Sequence, residues 1–166
     1  MRWIWIDRFL EFQPGKTARA TKSLSLAEDY FADHFPGYPV MPGSLILEGL
    51  AQTGGVLVGE VNEFREKVVL AKIHWARFHR EASAGDELIY DVELLHMRPE
   101  GALVKGTAHV GEALVAEAEI FFAHLDQARS HQIFGDHNFV FTGELQRVLG
   151  LTKHLASRPE SKATVS

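Results

Sequence analysis

The 166-residue sequence contains no cysteine. Without cysteine there is no disulfide framework, no thiolate nucleophile and no cysteine-ligated zinc site, and this composition suits a reducing compartment. Positive charge is not in excess either, since 17 Lys and Arg residues stand against 22 Asp and Glu residues and give a net charge of −5. A chain with this balance and no long basic run is not expected to bind nucleic acid.

Long uninterrupted hydrophobic runs are also missing. Asp7 and Arg8 interrupt the apolar N-terminus before it reaches the length of a signal-peptide core. The most apolar segment, residues 43–59, is too short to span a bilayer and carries Glu48 near its middle. We therefore expect no export signal and no membrane span, and we predict a cytoplasmic protein.

The overall amino-acid composition is typical of a globular protein, with 46% hydrophobic and 23% charged residues. The length is close to that of one domain. We predict a folded domain over residues 1–125 and a C-terminal extension over residues 126–166. In that extension Thr142 is predicted to cap a short helix with Leu145, Val148 and Leu149 on one side, and residues 157–166 are predicted to form a disordered tail.

Period-two alternation predicts most of the domain as strands. The N-terminal aromatic stretch and the segment ending at Leu24 are predicted to pair around the turn QPGKT. From Lys67 onward four further strands are predicted, joined by the sequences SAGD, RPEG and VGE, which are interpreted as hairpin turns. In the last strand one face is predicted to be buried (Leu114, Ala116, Ala118, Ile120 and Phe122) and the other exposed (Glu117 and Glu119).

Two helices are predicted within residues 1–125. Ser25 and Glu28 have capping-box spacing, which predicts a short helix running toward Asp33 and ending at His34. Pro42 and Gly43 precede a helix of about five turns. Four glycines weaken the longer helix, so we expect close packing to hold it. The predicted class is α+β, with an antiparallel sheet wrapped around one long central helix.

Glu48 is the only formally charged residue between Phe35 and Gly59. On the predicted helix it belongs to a narrow stripe of small or polar residues: Ser44, Glu48, Gln52, Gly55 and Gly59. This stripe is either a thin solvated face or the lining of an apolar pocket. In a pocket, desolvation favours the neutral, proton-donating form of a carboxyl group, and His34 is the natural complementary base. An acid facing a base suggests elimination or hydration.

Other catalytic motifs fail on spacing. The sequence PGKT lacks the first glycine of a phosphate-binding loop, because Leu10 occupies that position. A serine-hydrolase elbow at Ser44 fails because Pro42 replaces its first glycine. The remaining histidines match no strong metal-ligand spacing. We expect no metal and no cofactor.

Residues 34–52, HFPGYPVMPGSLILEGLAQ, closely resemble the signature segment of the 3-hydroxyacyl-[acyl-carrier-protein] dehydratases of fatty-acid synthesis. Flanking stretches extend the resemblance over roughly residues 3–124. It implies the hotdog fold, with His34 and Glu48 as the catalytic pair. Glutamate at position 48 resembles the branch that dehydrates, whereas aspartate marks the branch that also isomerises, so dehydration without isomerisation is expected.

The resemblance implies that His34 removes the α proton of a (3R)-3-hydroxyacyl thioester. Glu48 then protonates or orients the departing hydroxyl, and a trans-2-enoyl thioester results. Gly43, at the head of the central helix, is expected to offer its N–H to the developing oxyanion. Phe35 and Ser44 are expected beside the substrate.

The resemblance also implies partners. The substrate is an acyl chain linked through phosphopantetheine to acyl carrier protein. The histidine of one subunit works with the acid of its neighbour in this family, which implies an obligate homodimer with shared sites; assembly into a homohexamer, a trimer of dimers, stays open. Arg77 and Arg80 are the best candidates for contacting the acidic carrier protein, the alternative being that they simply face solvent.

Two rival functions stay open at this stage. A hotdog thioesterase would use a carboxylate on the helix to cleave the thioester, but the histidine of HFPG argues against it. A non-catalytic module that binds acyl thioesters, such as the sensor of a lipid regulator, would be expected to carry a DNA-binding domain, for which this sequence leaves no N-terminal room. The fold by itself does not decide among these activities.

Overall fold

The computed structural model describes residues 3–126 and, beyond them, residues 128, 131, 132, 145, 147, 148 and 150. Within residues 3–126 the structure has two helices and six strands, in the order β1 (Arg8–Gln13), β2 (Thr17–Ser23), α1 (Tyr30–Asp33), α2 (Gly43–Glu60), β3 (Lys67–Phe78), β4 (Glu87–Arg98), β5 (Gly101–Val110) and β6 (Ala113–Leu125).

The six strands form one antiparallel sheet in the order β1-β2-β4-β5-β6-β3. Helix α2 packs against five of the strands, β2 to β6, so the sheet curves around it. An antiparallel sheet wrapped around one long helix is the hotdog arrangement. The predicted α+β class and hotdog fold are therefore confirmed.

Helix α2 has 18 residues, or five turns, as predicted. Twelve of these residues are buried, among them Leu50, Thr53 and Leu57, each 0% exposed. Its glycines allow close packing, most clearly at Gly49, where an added Cβ would lie 2.3 Å from Cζ of the fully buried Tyr90. Because glycine has no side chain, the sheet approaches the helix backbone at this position more closely than it could at any other type of residue.

The strand boundaries follow the alternation, but one connection was wrongly interpreted. Strand β3 pairs with β6 and not with β4, so SAGD, residues 83–86, is not a hairpin turn. The chain between β3 and β4 instead crosses near the start of α2, where Ala82 accepts a backbone hydrogen bond of 2.8 Å from Met41.

The buried face of β6 is confirmed at Ala116, Ala118, Ile120 and Phe122, but not at Leu114. A β-bulge shifts the pairing with β5 between Ala108 and His109, and Val115 becomes buried in place of Leu114.

The first helix begins later than the capping-box spacing predicted. Glu28 does not cap a helix, because its carboxylate accepts a hydrogen bond of 2.8 Å from Nζ of Lys22. Ser25 closes a turn instead, and α1 spans Tyr30–Asp33 with His34 as its C-cap. The prediction that this helix ends at His34 is confirmed.

Beyond residue 126 the described residues are helical, and Leu145 and Val148 pack against the core. Thr142, Leu149 and residues 157–166 lie outside the described residues, so the helix cap, the tail and the boundary at residue 125 stay predictions. No helix in the described part of the chain is long and apolar enough to cross a membrane.

Candidate active site

His34 is held at the end of α1 by hydrogen bonds on both its backbone and its ring. Its N–H donates to the carbonyl of Tyr30 at 2.9 Å, and its carbonyl accepts from the N–H of Val40 at 3.0 Å. The ring atom Nδ1 lies 2.9 Å from the carbonyl oxygen of Val40. Because a carbonyl only accepts, Nδ1 carries the hydrogen, and Nε2 of the neutral ring keeps its lone pair. Nε2 is thus available as a base.

The loop after His34 is a compact turn. Phe35 and Tyr38 exchange two backbone hydrogen bonds of 2.8–2.9 Å, and the hydroxyl of Tyr38 donates to Glu81 at 2.6 Å. The ring of Phe35 stacks on that of His34 with centroids 3.9 Å apart, while its side chain is 53% exposed. Phe35 therefore positions the imidazole and presents an apolar surface beside it.

Glu48 lies in the second turn of α2 and is half-buried. Its Oε1 accepts a hydrogen bond of 3.0 Å from Nε2 of Gln52, one turn later. Gln52 is buried and also bonds the N-terminal segment, donating to the carbonyl of Trp3 at 2.9 Å and accepting from the N–H of Trp5 at 2.8 Å. Since every polar group of this amide has a partner, Gln52 fixes the orientation of the carboxylate.

A cavity of about 230 Å³ opens along α2. Four members of the predicted stripe line it, namely Glu48, Gln52, Gly55 and Gly59, and the other wall is largely apolar: Val68, Val69, Leu70, Phe122 and Leu145 among others. The pocket interpretation of the stripe therefore holds and the solvated-face interpretation does not, except at the exposed Ser44. His34 is not among the described residues that line this cavity.

A second carboxylate lines the same cavity. Oε2 of Glu66 accepts a hydrogen bond of 2.9 Å from Nδ2 of Asn62 and lies 3.5 Å from Nδ1 of His124, whose side chain is 7% exposed. No sequence pattern pointed to this pair, because residues 66 and 124 meet only through the pairing of β3 with β6.

The start of α2 is suited to binding negative charge. Its N-cap residue is Pro42, whose side chain makes no capping hydrogen bond. The first hydrogen bonds described at this end are donated by the N–H groups of Leu45 and Ile46 to the carbonyl of Pro42. The N–H groups of Gly43 and Ser44 have no acceptor within the described residues, as is usual at a free helix terminus. An added Cβ at Gly43 would lie 2.8 Å from the ring of Phe78, so glycine here also admits this aromatic ring.

The FabA-like domain family matches residues 3–119, which is well over half of the chain. The chain belongs to this family. Two relatives, both named 3-hydroxyacyl-[acyl-carrier-protein] dehydratase FabZ, are also similar to this chain. That of Pelotomaculum thermopropionicum is 45% identical over 122 residues, covering 73% of this chain and 87% of the relative. That of Symbiobacterium thermophilum is 46% identical over 127 residues, covering 76% and 89%.

Structural similarity supports the fold of the FabA-like domain. A hypothetical thioesterase protein from Streptococcus pneumoniae TIGR4, solved with coenzyme A, superposes with a TM-score of 0.58 at 13% identity. The match covers 72% of this chain and 89% of that one. At this identity the likeness concerns the fold alone.

Arg77 and Arg80 lie at and after the end of β3 in this FabA-like domain, and both are exposed. The guanidinium of Arg77 sits 5.4 Å from the ring centre of Trp75 and 4.0 Å from a carboxylate oxygen of Glu117. Nε of Arg80 donates to the carbonyl of Glu81 at 3.3 Å. Neither charge is buried, so both stay accessible to a partner.

Of the predicted site residues, the structure places Glu48 at the cavity, and it places His34 and Phe35 together in one turn. Sequence reasoning missed the role of Gln52, although its position four residues after Glu48 is the spacing that lets two side chains on a helix meet. It also missed Phe78 and Leu145, which nothing in the local sequence connects with the site.

Proposed function

We propose that this member of the FabA-like family dehydrates (3R)-3-hydroxyacyl thioesters of acyl carrier protein to trans-2-enoyl thioesters in fatty-acid synthesis. The observation that carries the proposal is the carboxyl group of Glu48, which Gln52 orients at a largely apolar cavity, in a chain whose HFPG turn leaves Nε2 of His34 available as a base. The names of the relatives support the same chemistry.

In this proposal Nε2 of His34 accepts the α proton of the substrate. The electron pair of that C–H bond forms the new double bond, and the C–O bond to the 3-hydroxyl breaks. Glu48 donates a proton to the departing oxygen, so water leaves and the product is the enoyl thioester. Glutamate at position 48 agrees with dehydration without isomerisation, which stays a prediction.

Negative charge develops on the thioester oxygen as the α proton is removed. The free N–H groups at Gly43 and Ser44, at the positive end of α2, are the candidate donors. Donors fixed in this way stabilise the transition state more than the ground state. Phe35 lies beside the reacting imidazole and is proposed to contact the substrate.

A homodimer with shared active sites is part of the proposal. Since His34 is not among the described residues lining the cavity of Glu48, a second subunit is the proposed source of the histidine. Strand β3 offers a surface for that subunit, because it is an edge strand with exposed apolar side chains: Leu70, Ile73 and Phe78 are 39–50% exposed. An apolar edge strand of 12 residues is expected to be covered by another chain. The homohexamer and the cytoplasmic location stay predictions.

A product assay tests this function directly. Purified protein is incubated with 3-hydroxyacyl thioester of acyl carrier protein, and enoyl conjugation and free thiol are followed separately. We expect enoyl product without thiol. Thiol release would favour the thioesterase alternative, and neither product would favour a binding module.

We propose that Arg77 and Arg80 contact the acidic carrier protein. Reversing both charges to Glu is expected to lower kcat/KM for carrier-bound substrate by about ten-fold, since complementary charges act mainly on association. The same double variant should change kcat/KM for the coenzyme A-bound substrate by less than about two-fold.

The matched control reverses Arg8 and Arg98, which are also exposed and change the net charge by the same amount. If both double variants lose carrier-bound activity equally, the effect comes from net charge and the two arginines are not the contact site.

A further inference from the structure

The wall of the cavity contains a residue from outside the matched family region. Leu145 lines the cavity, whereas the family match ends at residue 119. Three positions later, on the same face of a helix, Val148 is 8% exposed and belongs to the core. Arg147 and Gly150 are exposed, so this helix turns one apolar side toward the domain. The contact is thus made from outside the region that the family matches.

The lining of the cavity suits an alkyl chain that starts at Glu48. Its lining runs along α2 from Glu48 to Gly59, a distance of about 16 Å at ~1.5 Å per residue. The proposed proton donor lies at one end, and the remaining lining is mostly apolar. An acyl tail extending from the reacting carbons therefore gains apolar contact as it lengthens. Leu145 has no polar group, so its direct interaction with a bound tail is apolar contact.

We propose that Leu145 determines which acyl-chain lengths the enzyme prefers. This inference rests on the proposed function, because it assumes that the cavity holds the acyl tail. A tail too short to reach Leu145 is unaffected by this residue, whereas a longer tail packs against it. The C-terminal segment would then set substrate range while the shared domain performs the chemistry.

The test compares kcat/KM for 3-hydroxybutanoyl, 3-hydroxyoctanoyl and 3-hydroxydodecanoyl carrier thioesters. Leu145→Trp fills part of the cavity and is expected to lower the ratio of dodecanoyl to butanoyl activity at least about ten-fold, the equivalent of losing the burial of roughly two methylene groups. Most of the loss should appear in KM. Arg147→Trp places the same side chain on the exposed side and should leave the ratio within about two-fold of the wild-type value.

Leu145→Gln is the second variant, since it nearly keeps the volume and a half-buried site tolerates it more readily. It should also lower the dodecanoyl to butanoyl ratio, because it places an amide against the tail. Unchanged ratios in both Leu145 variants, or an equal change in Arg147→Trp, would overturn the inference. Wild-type protein that dehydrates none of the three substrates would instead contradict the proposed function.

Discussion

His34→Ala and Glu48→Gln are each expected to lower kcat/KM for dehydration by about 1,000-fold, while the protein stays folded. Each variant removes one of the two proposed proton-transfer groups, and such groups contribute roughly 100- to 10,000-fold. The loss should appear mainly in kcat, because both groups act in the transition state. Enoyl formation measures the rate, and thermal unfolding checks the fold.

Two other carboxylates provide controls for the Glu48 variant. Glu60→Gln changes a residue on the same helix that is not among the described lining of the cavity, and it should keep wild-type activity. Glu66→Gln removes the second carboxylate that lines the cavity. If that variant loses as much activity as Glu48→Gln, or if Glu48→Gln stays active, the proton donor has been wrongly assigned.

Mixing the two inactive chains tests whether the sites are shared. In a mixed dimer one site combines the intact histidine of one chain with the intact glutamate of the other. Random reassembly of equal amounts should therefore restore about a quarter of wild-type activity. Chains that are denatured, mixed and then refolded together should show this recovery, whereas folded chains mixed without dissociation should not. No recovery after reassembly would argue that each chain supplies both groups itself.

Gly49→Ala is expected to destabilise the protein by about 2–3 kcal/mol, although alanine is the better helix former. Helix propensity alone predicts a gain of about 1 kcal/mol in the free energy of unfolding. The added Cβ, however, would lie 2.3 Å from Cζ and 2.4 Å from the hydroxyl oxygen of Tyr90. Tyr90 is 0% exposed and cannot move aside without disturbing the core. The sign of the change therefore distinguishes packing from propensity.

Gly55→Ala is the matched control on the same helix. Among the described residues its Cβ would meet only Phe122, at an ordinary contact distance of 3.6 Å. This variant should be neutral or more stable by up to about 1 kcal/mol. Denaturant unfolding at one fixed protein concentration measures both variants, since subunit association would also change apparent stability. Equal effects of the two substitutions would contradict the packing argument.

The contact at Gly49 also affects the environment of Tyr90. Burial raises the pKa of its hydroxyl, and no hydrogen-bond partner for this hydroxyl lies among the described residues. In denaturant unfolding, Tyr90→Phe should therefore be neutral or slightly stabilising, because it removes a buried hydroxyl that has no partner among the described residues.

The sequence predicted some elements of the fold better than others. The limits of β3 to β6 and the five turns of α2 follow from local periodicity, since each element must turn its apolar side chains toward one core. The pairing of β3 with β6 did not follow, because SAGD resembles a hairpin turn and no local signal reveals that the chain crosses the curved sheet. The start of α1 was missed because Glu28 bonds Lys22, a partner in another element.

By itself the sequence predicted the kind of chemistry, from one carboxyl group in the apolar stretch between Phe35 and Gly59, a histidine in an HFPG turn, and an α+β layout that could bring a pocket to them. Only the tertiary structure decided that Gln52 orients Glu48, that Phe78 lies against Gly43, and that Leu145 reaches the cavity. The physical reason is the distance along the chain over which each interaction acts. Periodicity and capping act over a few neighbouring residues, whereas the walls of a cavity are formed by side chains that are distant along the chain and meet only when the core is packed.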